Sequence, residues 1–295
     1  RETGAEFAIR YPKVAGRLGM NSTEVSDPYV ERLMEGFAFL TSRVQLKMDA
    51  EFPRFSQRLM EMLAPNFLSP TPSMAIVELH PDTSKGDLSR GVVVPRGTSL
   101  DSLMMKKHGV TCSYTTAHDV TLLPLTVQAI ELGGLPADVS LSQLGLSQHG
   151  AVSALRIRIA CDGPIDLKHL DFNHLDFFLA NVDSQATSLL ELLIGHFVGA
   201  FCQTVSNEPV RVILKDDAGV LRQEGFGAQQ ALLPEGMRNF TGYRLLQEYF
   251  AFPPRFQFIS LHGMRPLLAQ SGKAREFEIV LLLDKTDTQL ERVID

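Results

Sequence analysis

Between Asp27 and Pro65 the chain carries a long run of helical periodicity, and proline marks its start and its stop. Asp27-Pro28 sets a capping carboxylate ahead of a proline at the first helical position, where the missing N–H costs nothing. Val30, Leu33, Met34, Phe37, Leu40, Val44 and Met48 then recur at helical spacing and form one stripe. Phe39 and Leu46 lie off that stripe, so the helix is expected to touch partners on two sides. Arg32, Glu35, Arg43 and Lys47 occupy the remaining surface. Pro53 is expected to break the run, and a second helix with Phe55, Leu59, Met62 and Leu63 on one face is expected to end at Pro65. The segment Asn66-Phe67-Leu68-Ser69-Pro70-Thr71-Pro72 cannot continue a helix, which makes residues 1–72 an N-terminal helical arm.

From Ser73 the texture changes to short strand-like runs at 74–79, 91–94, 120–130, 155–161, 175–179, 210–214, 256–261 and 277–283. Leu155-Arg156-Ile157-Arg158-Ile159 alternates as a strand with one wet face should. Leu132-Gly133-Gly134-Leu135-Pro136 carries turn chemistry. Helices are expected at 184–197 and 241–250, and residues 286–295 read as a helix just starting, as in a piece of a longer chain. These readings give an α+β fold: the helical arm, a β-rich mixed domain over 73–215, and a second mixed region over 216–295.

In the 241–250 helix, Thr241 stands where a cap belongs, and Tyr243, Leu246, Tyr249 and Phe250 share one face. That face, with Phe256 and Phe258 beyond Pro253-Pro254, is expected to be core. Arg244 and Glu248 are expected on its flank, within reach of a partner.

Charge and cysteine usage remove several functions. The net charge is −6, the longest basic run is Lys106-Lys107, and residues 1–65 hold nine basic and nine acidic side chains, so a nucleic-acid footprint is missing. Cys112, Cys161 and Cys202 are widely spaced and odd in number, as expected of buried thiols in a reducing compartment. Arg1-Glu2-Thr3-Gly4 does not begin a secretory signal. The most apolar stretch, 189–201, is interrupted by Glu191 and His196 and is too short to span a bilayer. The expected location is the cytoplasm.

Catalytic patterns are weak. Gly225-Phe226-Gly227 is followed by Ala-Gln-Gln and does not make a dinucleotide loop. Asp216-Asp217 sits in a hairpin-like turn before Gly219. The best metal candidate is the near-duplication His169-Leu170-Asp171-Phe172-Asn173-His174-Leu175-Asp176-Phe177, whose His169, Asp171, His174 and Asp176 suit a metal-dependent hydrolase. The plainer reading is a turn at Asn173 leading into a strand with Leu175, Phe177 and Leu179 on one side. A carbohydrate-binding β module is the other alternative, though the chain has no Trp.

Three ordered segments resemble one family. The first runs Phe7-Ala8-Ile9-Arg10-Tyr11-Pro12-Lys13-Val14-Ala15-Gly16-Arg17-Leu18-Gly19 and continues from Asp27-Pro28 through Glu31-Arg32 and Gly36-Phe37 to Leu40. The second is Phe67-Leu68-Ser69-Pro70-Thr71-Pro72-Ser73-Met74-Ala75. The third is Leu232-Leu233-Pro234, followed by Gly242-Tyr243-Arg244-Leu245-Leu246-Gln247-Glu248-Tyr249-Phe250-Ala251-Phe252-Pro253. Together they resemble the TssF family (also called ImpG or VasA) of type VI secretion baseplates. Val94-Pro95-Arg96-Gly97-Thr98, Tyr114-Thr115-Thr116 and Asp119-Val120 look like the pattern of contractile-phage baseplate wedge proteins. Family members are longer, and a Trp would be expected where Leu122-Leu123-Pro124-Leu125 stands.

The resemblance implies a structural subunit and no enzyme. It would form a wedge with TssG and a second copy of TssF. Six wedges would surround the spike hub, receive TssK, and seed the contractile sheath with TssE, at a baseplate docked to the inner-membrane complex. No cofactor is implied. Shared helical bundles would lock the wedge, and bistable interfaces would release contraction.

Overall fold

The computed structural model describes residues 2–20, 27–63, 65–82, 86, 88–104, 109–142, 144–146, 150–180, 182–234 and 240–294. It divides into two compact units, Arg1–Pro70 and Thr71–Asp295.

The first unit is helical: α1 (Glu2–Arg10), α2 (Pro12–Arg17), α3 (Pro28–Leu63) and a 3-10 turn, Pro65–Leu68. The start of α3 follows its sequence signal, since Asp27 Oδ1 accepts the Tyr29 N–H at 2.9 Å and Pro28 opens the helix. Pro53 does not break it. The helix runs through as 36 residues, about 54 Å at 1.5 Å per residue. Proline removes one intrahelical bond, and in so exposed a helix water can satisfy the freed carbonyl. Ala8, Ala15 and Met20 form a small cluster against which Met34 packs.

The second unit contains β1 (Val92–Val94), β2 (Ser99–Asp101), β3 (Ser113–Thr115), β4 (Val120–Leu122), β5 (Leu125–Gly134), β6 (Ser153–Cys161), β7 (His174–Phe178), α4 (Asp183–Gly195), β8 (Phe197–Thr204), β9 (Arg211–Ile213), β10 (Leu221–Gln223), α5 (Thr241–Ala251), β11 (Phe258–His262), α6 (Arg265–Gln270), β12 (Glu276–Leu283) and α7 (Thr288–Glu291). The main sheet is antiparallel in the order β5-β6-β12-β8-β9, and a second sheet has the order β10-β11-β7. Residues on both sides of position 215 therefore share one sheet, with β12 at its centre.

From Ile279 to Leu283 β12 is apolar without alternation because both of its faces are covered, and Glu278 before that run is buried, accepting from Gln203 Nε2 at 2.7 Å. Phe277, Ile279, Leu281 and Leu283 join a core with Leu155, Ile157 and Ile159 of β6, Leu192 and Leu193 of α4, Ile259 and Leu261 of β11, and Leu267 of α6. Val280 and Leu282 face the opposite way, onto Phe201, Ala154, Val139 and Leu146. Each such aliphatic or aromatic burial contributes roughly 1.5–3 kcal/mol. On β6, Arg158 is exposed and Arg156 reaches Asp138 at 2.5 Å, giving the alternation its polar side.

Four local expectations need correction. Residues 74–79 form no strand. The 120–130 run is two strands divided at Leu123-Pro124, where the Leu125 N–H turns back to the Leu123 carbonyl. Leu132, Gly133 and Gly134 continue β5 against β6 instead of turning. Phe197 begins β8, so the 189–201 stretch is a helix and then a strand.

The wedge-like segment is held by its own polar residues. Gly97 adopts φ 84°, where a side chain would be strained, and its N–H reaches the Thr116 carbonyl at 2.9 Å. Thr98 Oγ1 and Thr116 Oγ1 both donate to the Pro95 carbonyl, at 2.6 and 2.8 Å. Asp119 accepts the Arg96 N–H at 2.7 Å.

Candidate partner interface

In the helical unit the candidate surface is α3 itself. None of its described residues is buried. Phe39 and Leu46, the off-stripe pair, are 61% and 65% exposed, and the stripe residues Leu33, Phe37, Leu40, Val44 and Met48 are exposed as well. Several of its polar residues make local contacts. Arg32 pairs with Glu35 at 3.0 Å, Gln45 bonds Asp49 at 2.9 Å, and the Arg43 guanidinium lies 5.9 Å from the Phe39 ring centre. Exposed pairs of this kind add little stability. Large apolar side chains open on more than one side of a helix mark a surface that gains by being covered.

In the second unit α5 is inverted relative to the sequence expectation. Tyr243, Leu246, Tyr249 and Phe250 face outward, with Phe250 81% exposed. Arg244 and Glu248, expected on an outer flank, have side chains 2% and 0% exposed and pair at 3.1 Å. The cause lies in what the carboxylate holds. Glu248 Oε1 accepts the N–H groups of Leu232 and Leu233, both at 3.0 Å, while Arg244 Nη1 donates to both carboxylate oxygens. A buried charge is tolerable when paired and hydrogen-bonded, and here the helix uses the carboxylate to grip a loop, while Arg244 Nε is buried without a hydrogen-bond partner. Arg255 binds the same loop, donating to the Gln230 carbonyl at 2.9 and 3.2 Å. Gln230 in turn accepts the Gly225 N–H at 2.7 Å and donates to Glu224. The two pieces of the third family-like segment, Leu232-Leu233-Pro234 and Gly242 to Pro253, are thus one physical unit.

The outward rings of α5 touch one another. Phe240 meets Tyr243 edge-on with centroids 5.6 Å apart, Tyr249 meets Phe250 edge-on at 5.6 Å, and Tyr249 lies 5.7 Å from the buried Phe256. Thr241 is not the cap, since Phe240 occupies that position without a side-chain bond. A Cβ at Gly242 would lie 2.3 Å from the Phe240 ring, so a side chain there would require that exposed ring to move. Pro253 starts the 3-10 turn Pro253–Phe256 that follows the helix.

The remaining family-like positions are spread over the fold. Pro12 opens α2 with Lys13 beside it, Glu31 lies in the first turn of α3, Gly36 faces open space, and Pro72 lies in the irregular segment after the 3-10 turn. No sequence signal disclosed that Arg244 and Glu248 close on each other inside the fold. Their i, i+4 spacing was visible, but the loop N–H groups that make burial tolerable lie 15 and 16 residues away.

The histidine–aspartate near-duplication separates in space. His169 and Asp171 are exposed on either side of buried Leu170, and Phe172 is buried next to them. His174 pairs across the sheet with His262, their rings stacked at 5.2 Å, and Asp176 lies opposite Ser260. Among the described residues no group of three His, Cys, Asp or Glu could hold a metal. Cys202 is fully buried, and burial pushes its thiol pKa far up. Burial, with Asp162 adding, raises Cys161 to about 11. Both are therefore poor nucleophiles.

Comparison with known proteins bears on these surfaces. The family model for the type VI secretion system protein TssF matches residues 1–295. The type VI secretion system component TssF1 of Pseudomonas aeruginosa is 43% identical over 295 residues, covering 100% of this chain and 47% of the relative. A chain in the cryo-electron microscopy structure of the type VI secretion system TssK-TssF-TssG baseplate subcomplex superposes with a TM-score of 0.65 at 28% identity, covering 87% of this chain and 44% of that one. The chain thus spans about half the length of the relatives it matches.

Proposed function

Because the chain belongs to the type VI secretion TssF family, we propose that it serves as a structural subunit of the baseplate, built to be held by other subunits. The observation that carries this reading is α3, 36 residues long with no buried residue and with apolar side chains open on more than one side. Such a helix supports assembly into a shared bundle, where covering Phe39 and Leu46 would contribute roughly 1.5–3 kcal/mol each. The partner we assign to α3 is TssG. TssK is a further partner, in keeping with the TssK-TssF-TssG baseplate subcomplex that a similar chain forms. A second copy of TssF, TssE and the spike hub complete the proposed wedge, which would sit at the cytoplasmic side of an inner-membrane complex. Among the described residues no helix is long and apolar enough to cross a membrane. The role asks for no cofactor and no catalysis. Its mechanism is geometric, with helices locking subunits until a bistable interface releases them.

The test is co-purification of the full-length protein with TssG, using the double variant Phe39→Asp, Leu46→Asp. Both positions are exposed in the chain alone, so circular dichroism should not change. Co-elution should be lost. Undiminished co-elution of the double variant would remove α3 from the interface and with it the basis of this reading.

A further inference from the structure

The main sheet ends at β5, beside which α7 packs with Leu290 in the same core as Leu132. β5 pairs only with β6, so its other side presents every second N–H and C=O without a strand to receive them. Among the described residues no other backbone hydrogen bond is made by positions 126–134. Ordinary protection of an edge is incomplete here. A bulge interrupts the register between Val127 and Ala129, but residues 129–134 are regular against β6, and Glu131 is the sole charge in β5. Ile130 is exposed in the middle of that regular stretch.

The same chain holds a segment that suits this edge. Residues 71–82 form no regular secondary structure, residues 74–79 read Met-Ala-Ile-Val-Glu-Leu, and none of them pairs in a sheet among the described residues. This is strand sequence with no ladder. With the segment antiparallel and Val77 opposite Ile130, residues 74–78 lie against the regular residues 133–129 and Leu79 meets the bulge; Glu78 faces Ala129 and Glu131 faces Ile76, so the two carboxylates are not directly opposite. That register sets two exposed β-branched side chains side by side.

We infer that residues 74–79 of one copy add as an antiparallel strand to the β5 edge of a second copy. Backbone hydrogen bonds supply the affinity, and the Val77–Ile130 pair supplies the register. Donor and acceptor are different segments, so the contact is heterologous. The inference stands on the edge and the segment, independently of α3 and of TssG.

The probe is a synthetic peptide with the sequence of residues 72–80, added to the full-length protein at a dilution where the protein is monomeric. Two further peptides carry N-methyl groups either at Met74, Ile76 and Glu78 or at Ala75, Val77 and Leu79, leaving every side chain in place. The unmodified peptide should bind and slow hydrogen exchange in residues 129–134. One methylated peptide should bind within about threefold of the unmodified one, and the other about a hundredfold more weakly, because only one set of N–H groups faces the edge. The variant Val77→Pro, at an exposed position outside any sheet, should fold normally and lose self-association in sedimentation. Equal binding of the two methylated peptides, protection confined to other segments, β5 already protected in the dilute full-length monomer, or unchanged self-association of Val77→Pro would each overturn the inference.

Discussion

Replacing Glu248 by alanine asks whether a buried charge holds α5 to the rest of its unit. The substitution strips three donors at once: the Leu232 and Leu233 N–H groups at 3.0 Å and the Arg244 guanidinium at 3.1 Å. Arg244 is then left buried and unpaired, since its other bond, to the Phe226 carbonyl, is long at 3.5 Å. Removing one partner of a buried pair costs about 3–5 kcal/mol. For a unit of this size that lowers the melting temperature by about 6–20 °C. Arg244→Ala should cost less, because the Glu248 carboxylate keeps both loop N–H groups as donors. The double variant should fall short of the sum of the single losses by at least about 1 kcal/mol, as expected of residues in direct contact. Urea unfolding of the three variants, followed by circular dichroism, measures all of this. A loss below about 1 kcal/mol for Glu248→Ala, or simple additivity in the cycle, would refute the claim that this pair grips the loop.

Two further outcomes follow from the same region. Phe250→Ala should change stability by no more than about 0.5 kcal/mol, because the ring is 81% exposed, and thermal melts of the variant check this directly. His118 lies between β3 and β4 with its Nδ1 buried and unbonded; burial holds its pKa below the ordinary 6.5, and the Arg255 charge adds to that. The unfolded chain then takes up a proton that the folded chain refuses, so stability is full above about pH 6.5 and falls as the pH drops toward the lowered folded value. His118→Gln should flatten that acid slope in denaturant titrations at pH 5 to 7, and an unchanged slope would show that the histidine contributes nothing.

What could be read beforehand divides along physical lines. β6 and β12 were legible because alternation and unbroken apolarity report one or two buried faces directly. The start of α3 was legible because its cap is a contact two residues long. β8 was hidden, since residues 189–201 stay apolar across the change from helix to strand and only Gly195-His196 marks the break. Residues 74–79 carried a strand pattern, but pairing is a tertiary fact and the segment has no ladder. The inside of α5 was illegible for a stronger reason. Amphipathic reasoning sends rings inward and charges outward, and it fails where two opposite charges satisfy each other and a distant loop. The outward rings were visible in the sequence as a face, but the side on which they lie was not.

The position of β12 also sets a timetable for synthesis. Its neighbours β6 and β8 are translated more than seventy residues before it, yet they meet only through it, with Ile279 lying between Ile157 and Cys202. Until the ribosome has passed residue 283 and released that stretch, β6 and β8 expose apolar edges with nothing between them. Closure of the sheet is then a long-range event, slow by comparison with helix formation. A nascent chain halted before Glu276 should accordingly remain open to proteases and chaperones along β6 and β8. Release of the next few dozen residues should close the whole unit in one step.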